Sequence, residues 1–386
     1  MSNIVVFGAS HLVAELDLTA ISFIVDSNPD LQGTTHFGLE IKSPEILQGA
    51  SKKFQVMVCS TSIGEIKQQL QSYGFTWGDN AFVYSALFER EKILDIEETS
   101  FQFLVSSGLP SNPSSFSRGG IHLVKEDGDY PSTEMIYEGP THGLVRGVDQ
   151  GYAFTCQGTG VICLNQDLKV IDEIPLPKGM RPHGLRRYND LWVIALSLED
   201  SIIGINDAGK EIFRYSITDK VKETGIAQHH VNDLEIIGDF AYVSMFSVTG
   251  NWKHGIFDGG LVEINLISGS SKVIINSLTM PHSVTDEDGE IFVLDSFKGK
   301  LLGRNFNELA QLPGFVRGYD SDADYYYLGE SKNRNFSRMD NGRSPVSLDS
   351  RITIVNRKYS FCKSIQLPKH ISEIHALLRL DKDSAS

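Results

Sequence analysis

The chain divides by the spacing of its apolar residues. Up to about residue 90, short apolar runs alternate with a stretch of helical spacing. Ile4–Phe7, Ile21–Val25 and Phe54–Cys59 each read as a buried strand. Ile63, Ile66, Leu70 and Tyr73 recur at the three-and-four spacing of an amphipathic helix. Ser62 with Glu65 three residues on predicts a capping box at its start, and Gly74 its stop. Strands alternating with helices imply a parallel sheet, so residues 1–95 are expected to form a small Rossmann-like α/β domain.

From about residue 98 the helical period vanishes and short alternating strands follow, separated by Gly, Asp and Asn turns. These strands repeat as a unit. Thr141-His142-Gly143-Leu144, Pro182-His183-Gly184-Leu185, Val231-Asn232-Asp233-Leu234, Pro281-His282-Ser283-Val284 and Val316-Arg317-Gly318-Tyr319 each open an apolar strand pair. The third strand of each unit ends in Asn: Asn165, Asn206, Asn265, Asn305 and Asn356. An Asn there suits a turn, because its side chain can accept nearby backbone N–H groups. Successive units begin 35 to 58 residues apart, the period of a four-stranded propeller blade.

Five blades lie wholly inside the chain, and the ends of the region supply a sixth. Glu373–Leu378 reads as an inner strand with nothing after it, whereas Phe101–Ser106, Gly120–Lys125 and Glu134–Tyr137 read as outer strands with nothing before them. Joining them leaves no open sheet edge. The expected fold is therefore mainly β: a six-bladed β-propeller over residues 98–386, closed by the C-terminal strand.

Composition narrows the partners. A formal charge of −14 on 386 residues argues against nucleic acid or an anionic membrane surface, which both need a basic field. No run of about 18 apolar residues is present to span a bilayer. The four cysteines show no paired spacing, the pattern of free thiols in a reducing compartment, and the chain opens on a strand rather than a signal peptide. A cytoplasmic location is expected.

The repeat also places chemistry. Its equivalent positions, His142, His183, Asn232, His282, Arg317 and His375, should ring the channel at one face, with His230 adding a further imidazole. Neutral imidazoles converging on one axis suit a divalent transition metal such as Zn, Fe or Cu, with His142, His183, His282 and His375 as ligands. They equally suit acid–base work, with His230 and Glu330 as proton-transfer groups and Arg317 orienting an anion. A His at the start of an inner strand can instead simply bond the neighbouring blade, the following Gly relieving backbone strain.

Long insertions at 107–118, 247–258 and 333–350 return to the ring's face and carry Arg118, Trp252, Lys253, His254, Arg334, Arg338 and Arg343. That local basic excess points to a small anionic substrate, with Asn232, Trp252, His254, Asp295 and Arg334 as candidate contacts. In the first domain, Gly8, Ser10 and Asp26 occupy the places of a dinucleotide site, but the three-glycine fingerprint is incomplete, so no nucleotide is expected there. A docking role toward a partner enzyme is the alternative for that domain.

Two resemblances add to this reading. His230-Val-Asn232-Asp-Leu, Met280-Pro-His282-Ser, Pro313-Gly-Phe-Val-Arg317-Gly, Gly329-Glu330-Ser-Lys and Glu373-Ile374 resemble an uncharacterised family of bacterial conserved hypothetical propeller proteins, which implies the fold and no reaction. The stretch Phe23–Gly33 with Ser43-Pro44-Glu45 resembles the N-terminal domains of bacterial sugar acyltransferases, implying a place in sugar or natural-product chemistry. One His per blade also looks like the metal-dependent propeller lyases and lactonases, a likeness of fold. The function expected is thus a lyase or hydrolase acting on a small anionic molecule, or else a non-catalytic binding or scaffold propeller.

Overall fold

In the computed structural model the chain forms two compact units, Met1–Thr99 and Ser100–Ser386. Residues 3–109, 119–126, 130–147, 150–333 and 346–380 are described.

The first unit is built on six strands: β1 (Ile4–Phe7), β2 (Ile21–Val25), β3 (Thr35–His36), β4 (Leu39–Lys42), β5 (Gln55–Val58) and β6 (Ala81–Val83). They lie in the order β3-β4-β2-β1-β5-β6, parallel except for the β3–β4 hairpin. Val5, Phe7, Val25, Val56 and Val58 pack on one face, and Val6, Ile24 and Ile41 on the other. Burial on both faces explains why these strands read as unbroken apolar runs.

Alternation of strand and α-helix is complete only once, across β5, α1 (Ile63–Ser72) and β6. Between β1 and β2 the chain makes two short 3-10 turns, His11–Glu15 and Leu18–Ala20, segments too short to offset the cost of nucleating an α-helix. What the structure shows here is a mainly parallel sheet with few helices. Helix α1 buries Ile63, Ile66 and Leu70 as its spacing predicts, and Gly74 ends it at φ +87. The expected capping box is absent: the Ser62 side chain makes no cap bond. A second helix, α2 (Phe88–Glu98), escaped the sequence reading because charges cover most of it; it buries only Glu91 and Ile96, and Glu91 accepts a 2.6 Å bond from the Trp77 indole.

The second unit contains six four-stranded antiparallel sheets. Five are continuous in sequence, with inner strands at Thr141–Arg146, Pro182–Tyr188, Val231–Ile237, His282–Glu287 and Phe315–Ser321. The remaining blade joins the two ends of the unit. Ala376–Leu380 pairs with Phe101–Ser107, which is followed by Gly120–Glu126 and Ser132–Glu138. The fold is a six-bladed β-propeller, closed as expected.

Middle strands such as Leu191–Leu196 and Ser201–Ile205 are almost wholly buried between neighbouring blades, whereas the outer strand Val170–Pro175 is mostly exposed. The recurrent Asn does its predicted work in four turns: the Oδ1 atoms of Asn165, Asn206, Asn265 and Asn356 accept backbone amides. Asn305 instead adopts φ +55 within a short 3-10 turn. All four cysteines are free thiols, and no described helix is long and apolar enough to cross a membrane.

Candidate functional site

The ring positions sit at a recurring defect. In five blades the inner strand slips out of register with its partner just after it begins, between Thr141 and Leu144, Pro182 and Leu185, Val231 and Leu234, His282 and Thr285, and Val316 and Tyr319. A bulge of this kind breaks the in-out alternation and re-aims side chains. His142, His183, Asn232 and Arg317 all fall within it.

The glycines of the His-Gly pairs have a different purpose from the expected relief of strain. Neither Gly143 nor Gly184 adopts positive φ. A Cβ on Gly143 would lie 2.6 Å from the carbonyl oxygen of His183, and one on Gly184 would overlap the Asp233 carboxylate. They let adjacent blades touch at the axis. Of the glycines that follow ring positions, Gly143, Gly184 and Gly318, the last alone adopts positive φ, at +77. Polar ties continue around the ring: Thr155 donates to the His183 carbonyl at 2.6 Å, Ser283 N to Asp233 at 3.0 Å, and Gly318 N to Ser283 Oγ at 2.9 Å.

The side chains gather as the repeat predicted, but they pair with one another rather than converge on a point. His142 and His375 share a bond between their Nδ1 atoms at 2.9 Å. His142 also stacks on His183, with ring centroids 4.2 Å apart and planes 19° apart. Nε2 of His375 lies 3.2 Å from Glu373 Oε2, and Arg317 Nη1 is 3.4 Å from that nitrogen and 3.5 Å from that oxygen. The Arg317 guanidinium rests over the Phe315 ring at 4.7 Å. His230 meets His183 edge-on at 5.8 Å and packs against Phe246 and Trp252 at 4.3 and 4.8 Å.

His282 stands apart from this group. Its Nδ1 bonds the Met280 carbonyl at 2.9 Å and the Ser296 hydroxyl at 2.8 Å, and its ring edges lie against Phe246 and Phe315. Among the described residues no group of three or more His, Cys, Asp or Glu is placed to hold a metal ion. The four histidines proposed as ligands are thus brought to one face, in an arrangement that does not form a coordination sphere.

Burial sets their charge. His142, His230 and His282 are held well below the usual imidazole range, first by desolvation and then by neighbouring imidazoles and Arg317. His183 is pushed down to about 3 by burial, then Arg317 and Arg181, with a hydrogen bond to Asn232 opposing. These imidazoles are neutral at pH 7, each able to donate at one nitrogen and accept at the other. Nδ1 of His230 and Nε1 of Trp252 are buried with no hydrogen-bond partner among the described residues. A buried polar atom in that state calls for an explanation, such as strain, a catalytic role, a water or an ion.

His230 is held by a device that the sequence did not reveal. The buried carboxylate of Asp200 accepts the backbone amides of Gln228, of His229 at 3.0 Å and of His230 at 2.8 Å. The segment is thereby fixed with His230 at φ +53, a conformation disfavoured for a side chain of that size. Glu373, buried beside Arg317, also escaped the sequence reading as a site residue, although it stands two positions before His375 and within one of the motifs noted above.

Other candidates have structural employment. Glu330 is fully buried and accepts two bonds from Arg351, at 2.8 and 3.0 Å, one from Thr353 and one from Gly314 N at 2.8 Å. With its oxygens so occupied, it ties strands of one blade rather than serving as a proton-transfer group. Asp295, its pKa raised by burial, accepts Thr279 N at 2.8 Å and pairs with Lys298 at 3.1 Å. His254 is exposed at the end of the short 3-10 turn Trp252–His254, whose Lys253 ammonium lies 4.0 Å over the Trp252 ring. Arg118, Arg334, Arg338 and Arg343 lie outside the described residues.

In the first unit Gly8, Ser10 and Asp26 do come together, bonded internally. Asp26 accepts Ala9 N and Asn28 N, both at 2.8 Å, and Ser10 donates to the Cys59 carbonyl. Gly8, at φ +108, leaves no space for a Cβ, which would stand 2.8 Å from Ser60 Cβ.

A family model described as "Domain of unknown function (DUF4915)" matches residues 219–384. It covers the stretch carrying the motifs from His230 to Glu373. No curated protein matches the chain. Among solved structures, the chain is similar to a nidogen/laminin complex chain at 10% identity and a TM-score of 0.49, covering 73% of this chain and 98% of that one. A protein of unknown function from Bacteroides caccae matches at 13% identity and a TM-score of 0.49, over 74% and 100% of the two chains. The calcium-binding protein regucalcin from Agrobacterium tumefaciens matches at 10% identity and a TM-score of 0.42, over 60% and 75%.

Proposed function

We propose that the imidazole–arginine cluster at the mouth of the propeller axis binds a small anionic molecule and performs acid–base chemistry on it, of lyase or hydrolase type. The observation that carries this reading is the packing of His142, His183, His230 and His375 against one another beside Arg317. Four imidazoles from four consecutive turns of the ring bring polar nitrogens into a place that apolar residues would fill at lower cost. Arg317 supplies the fixed positive charge that an anion needs, and its fork suits a carboxylate or phosphate. Trp252, Lys253 and Arg181 border the same group.

The site is best tested with a panel of small carboxylates and phosphate esters, inorganic phosphate included, read by thermal shift on the full chain. A ligand at 100 times its Kd stabilises by about 2.7 kcal/mol. The expected result is stabilisation by at least one member that is lost in Arg317→Met, with conversion of that compound followed by NMR. Stabilisation unchanged in Arg317→Met would move the site elsewhere. Binding without conversion would leave a binding propeller. Stoichiometric metal in protein purified without an affinity tag, lost in His142→Gln, would replace the acid–base reading with a metal-dependent one.

A further inference from the structure

The loop 247–258 is built to hold one short turn in place. Ser247 Oγ donates to Asp258 Oδ1 and accepts Asn251 N at 2.8 Å, while Asp258 Oδ2 accepts Thr249 N at 3.2 Å. Val248 N closes the base by donating to the Asp258 carbonyl at 3.0 Å. The Ser247 carbonyl bonds His229 Nδ1 at 2.9 Å, which ties the loop to the segment carrying His230. The 3-10 turn Trp252–His254 follows and ends at Gly255, whose φ of +77 suits glycine. Trp252 and Lys253 are thus presented from a fixed base.

What the turn presents is a set of donors without acceptors. An indole nitrogen can only donate, and Nε1 of Trp252 is buried with no partner among the described residues. The Lys253 ammonium, 4.0 Å over the same indole, pairs with no carboxylate among the described residues. Nδ1 of His230, in a ring centred 4.8 Å from the indole, is likewise buried and unpartnered. The carboxylates on these segments are engaged elsewhere. Asp200 holds the amides of residues 228–230, and Asp258 holds its own loop. A fixed N–H beside an unpaired cation favours an oxygen anion as partner.

This group is separate from Arg317. The guanidinium rests on Phe315, and from there ring contacts run through His282 and Phe246 to Trp252, at centroid distances of 5.7, 5.4 and 6.2 Å. We propose that Trp252 Nε1 and Lys253 form a second anion anchor, so that the molecule taken at the axis carries two anionic groups on one small skeleton, as a dicarboxylate or a phosphorylated acid does. This rests on the anion-binding reading of the site and narrows its substrate class. Arg317 takes one group, and the indole and ammonium take the other. Indole, ammonium and guanidinium are all donors without acceptor capacity, so the assignment does not turn on the tautomer of any imidazole.

The test follows the indole N–H signals of the 15N-labelled full chain, whose three tryptophans are Trp77, Trp192 and Trp252, the last assigned by Trp252→Phe. The probes are matched pairs, glutarate against butyrate and phosphoglycolate against glycolate. The expected result is that a two-anion probe binds more tightly than its one-anion partner and moves the Trp252 signal downfield, as an N–H moves on gaining an acceptor. Trp252→Phe and Lys253→Met should each weaken that probe about ten- to hundredfold, the loss of one charge-assisted bond, and leave its one-anion partner unaffected. Two-anion probes that bind no better than their partners overturn the second anchor. So does a Trp252 signal that lies downfield in the free protein and moves with no probe, the mark of a resident water. Arg317→Met separates the two readings. One-anion binding that survives it removes the Arg317 anchor alone, whereas one-anion binding lost in it, with nothing gained from a second group, removes only the anchor at Trp252.

Discussion

Replacing Glu330 is the sharpest test of the division between site and scaffold. Its carboxylate is fully buried and accepts from Arg351 twice, from Thr353 and from Gly314 N. Glu330→Gln keeps the shape, removes the charge, and presents an N–H pair to groups that themselves donate. Breaking a buried ion pair from one side costs about 3–5 kcal/mol. The Arg351 side chain is 21% exposed, so water offsets part of its loss and the lower end of that range applies. Taking a urea m-value of about 3 kcal/mol/M for a unit of this size, the unfolding midpoint of the propeller should fall by about 1 M. The assay is urea denaturation followed by far-ultraviolet circular dichroism, on Glu330→Gln, Arg351→Met and the double variant. Residues in direct contact should show a coupling of about 1–3 kcal/mol in that cycle. Coupling below about 0.5 kcal/mol, or a Glu330→Gln protein as stable as wild type that has lost a ligand at the axis, would refute the assignment and return Glu330 to the site.

Acid should destabilise the propeller through its neutral histidines. Their folded pKa values are depressed below the unfolded value near 6.5, so their contribution is complete above that pH and is lost as pH falls, by up to about 1.4 kcal/mol per unit for each. For His183 the loss continues toward pH 3, and His183→Gln should flatten the stability–pH curve between 6.5 and 4.5; an unchanged slope would count against its burial as a neutral ring. Truncation after Lys369 removes the closing strand, whose Leu377, Leu378 and Leu380 are buried. At about 1.5–3 kcal/mol each this rivals the stability of a whole domain, so the truncated chain should be recovered as aggregate, and a soluble monomer on size exclusion would contradict the closure. Asp200→Asn should cost about 2–4 kcal/mol, from weakening three charge-assisted backbone bonds, and raise hydrogen exchange at residues 228–230. Exchange there equal to wild type would show that His230 is held by other means.

How far the residues alone lead can be followed position by position. The blades were legible because a propeller writes its period along the chain: each unit must bury the same faces and turn at the same places, so Asn165, Asn206, Asn265 and Asn356 recur with their strands. Closure was legible for the same reason, since a unit with an inner strand and no outer ones needs its complement from the other end. In the first unit the apolar strands were legible, but the connections were not. A segment as short as His11–Glu15 carries too few positions to show a helical period, and α2 hides its period behind charge.

The ring itself, His142, His183, Asn232, His282, Arg317 and His375, was determined by the sequence, because equivalent positions in a closed repeat must face one axis whatever their side chains. What these residues do there was decided by the tertiary structure. His282 turned to Met280 and Ser296, Glu330 to Arg351, and His142 to His375 and, through it, to Glu373. Such choices depend on distances of a few tenths of an ångström between strands far apart in the chain. No local pattern encodes them, because hydrogen bonds are settled by which donor and acceptor the packed blades bring within reach.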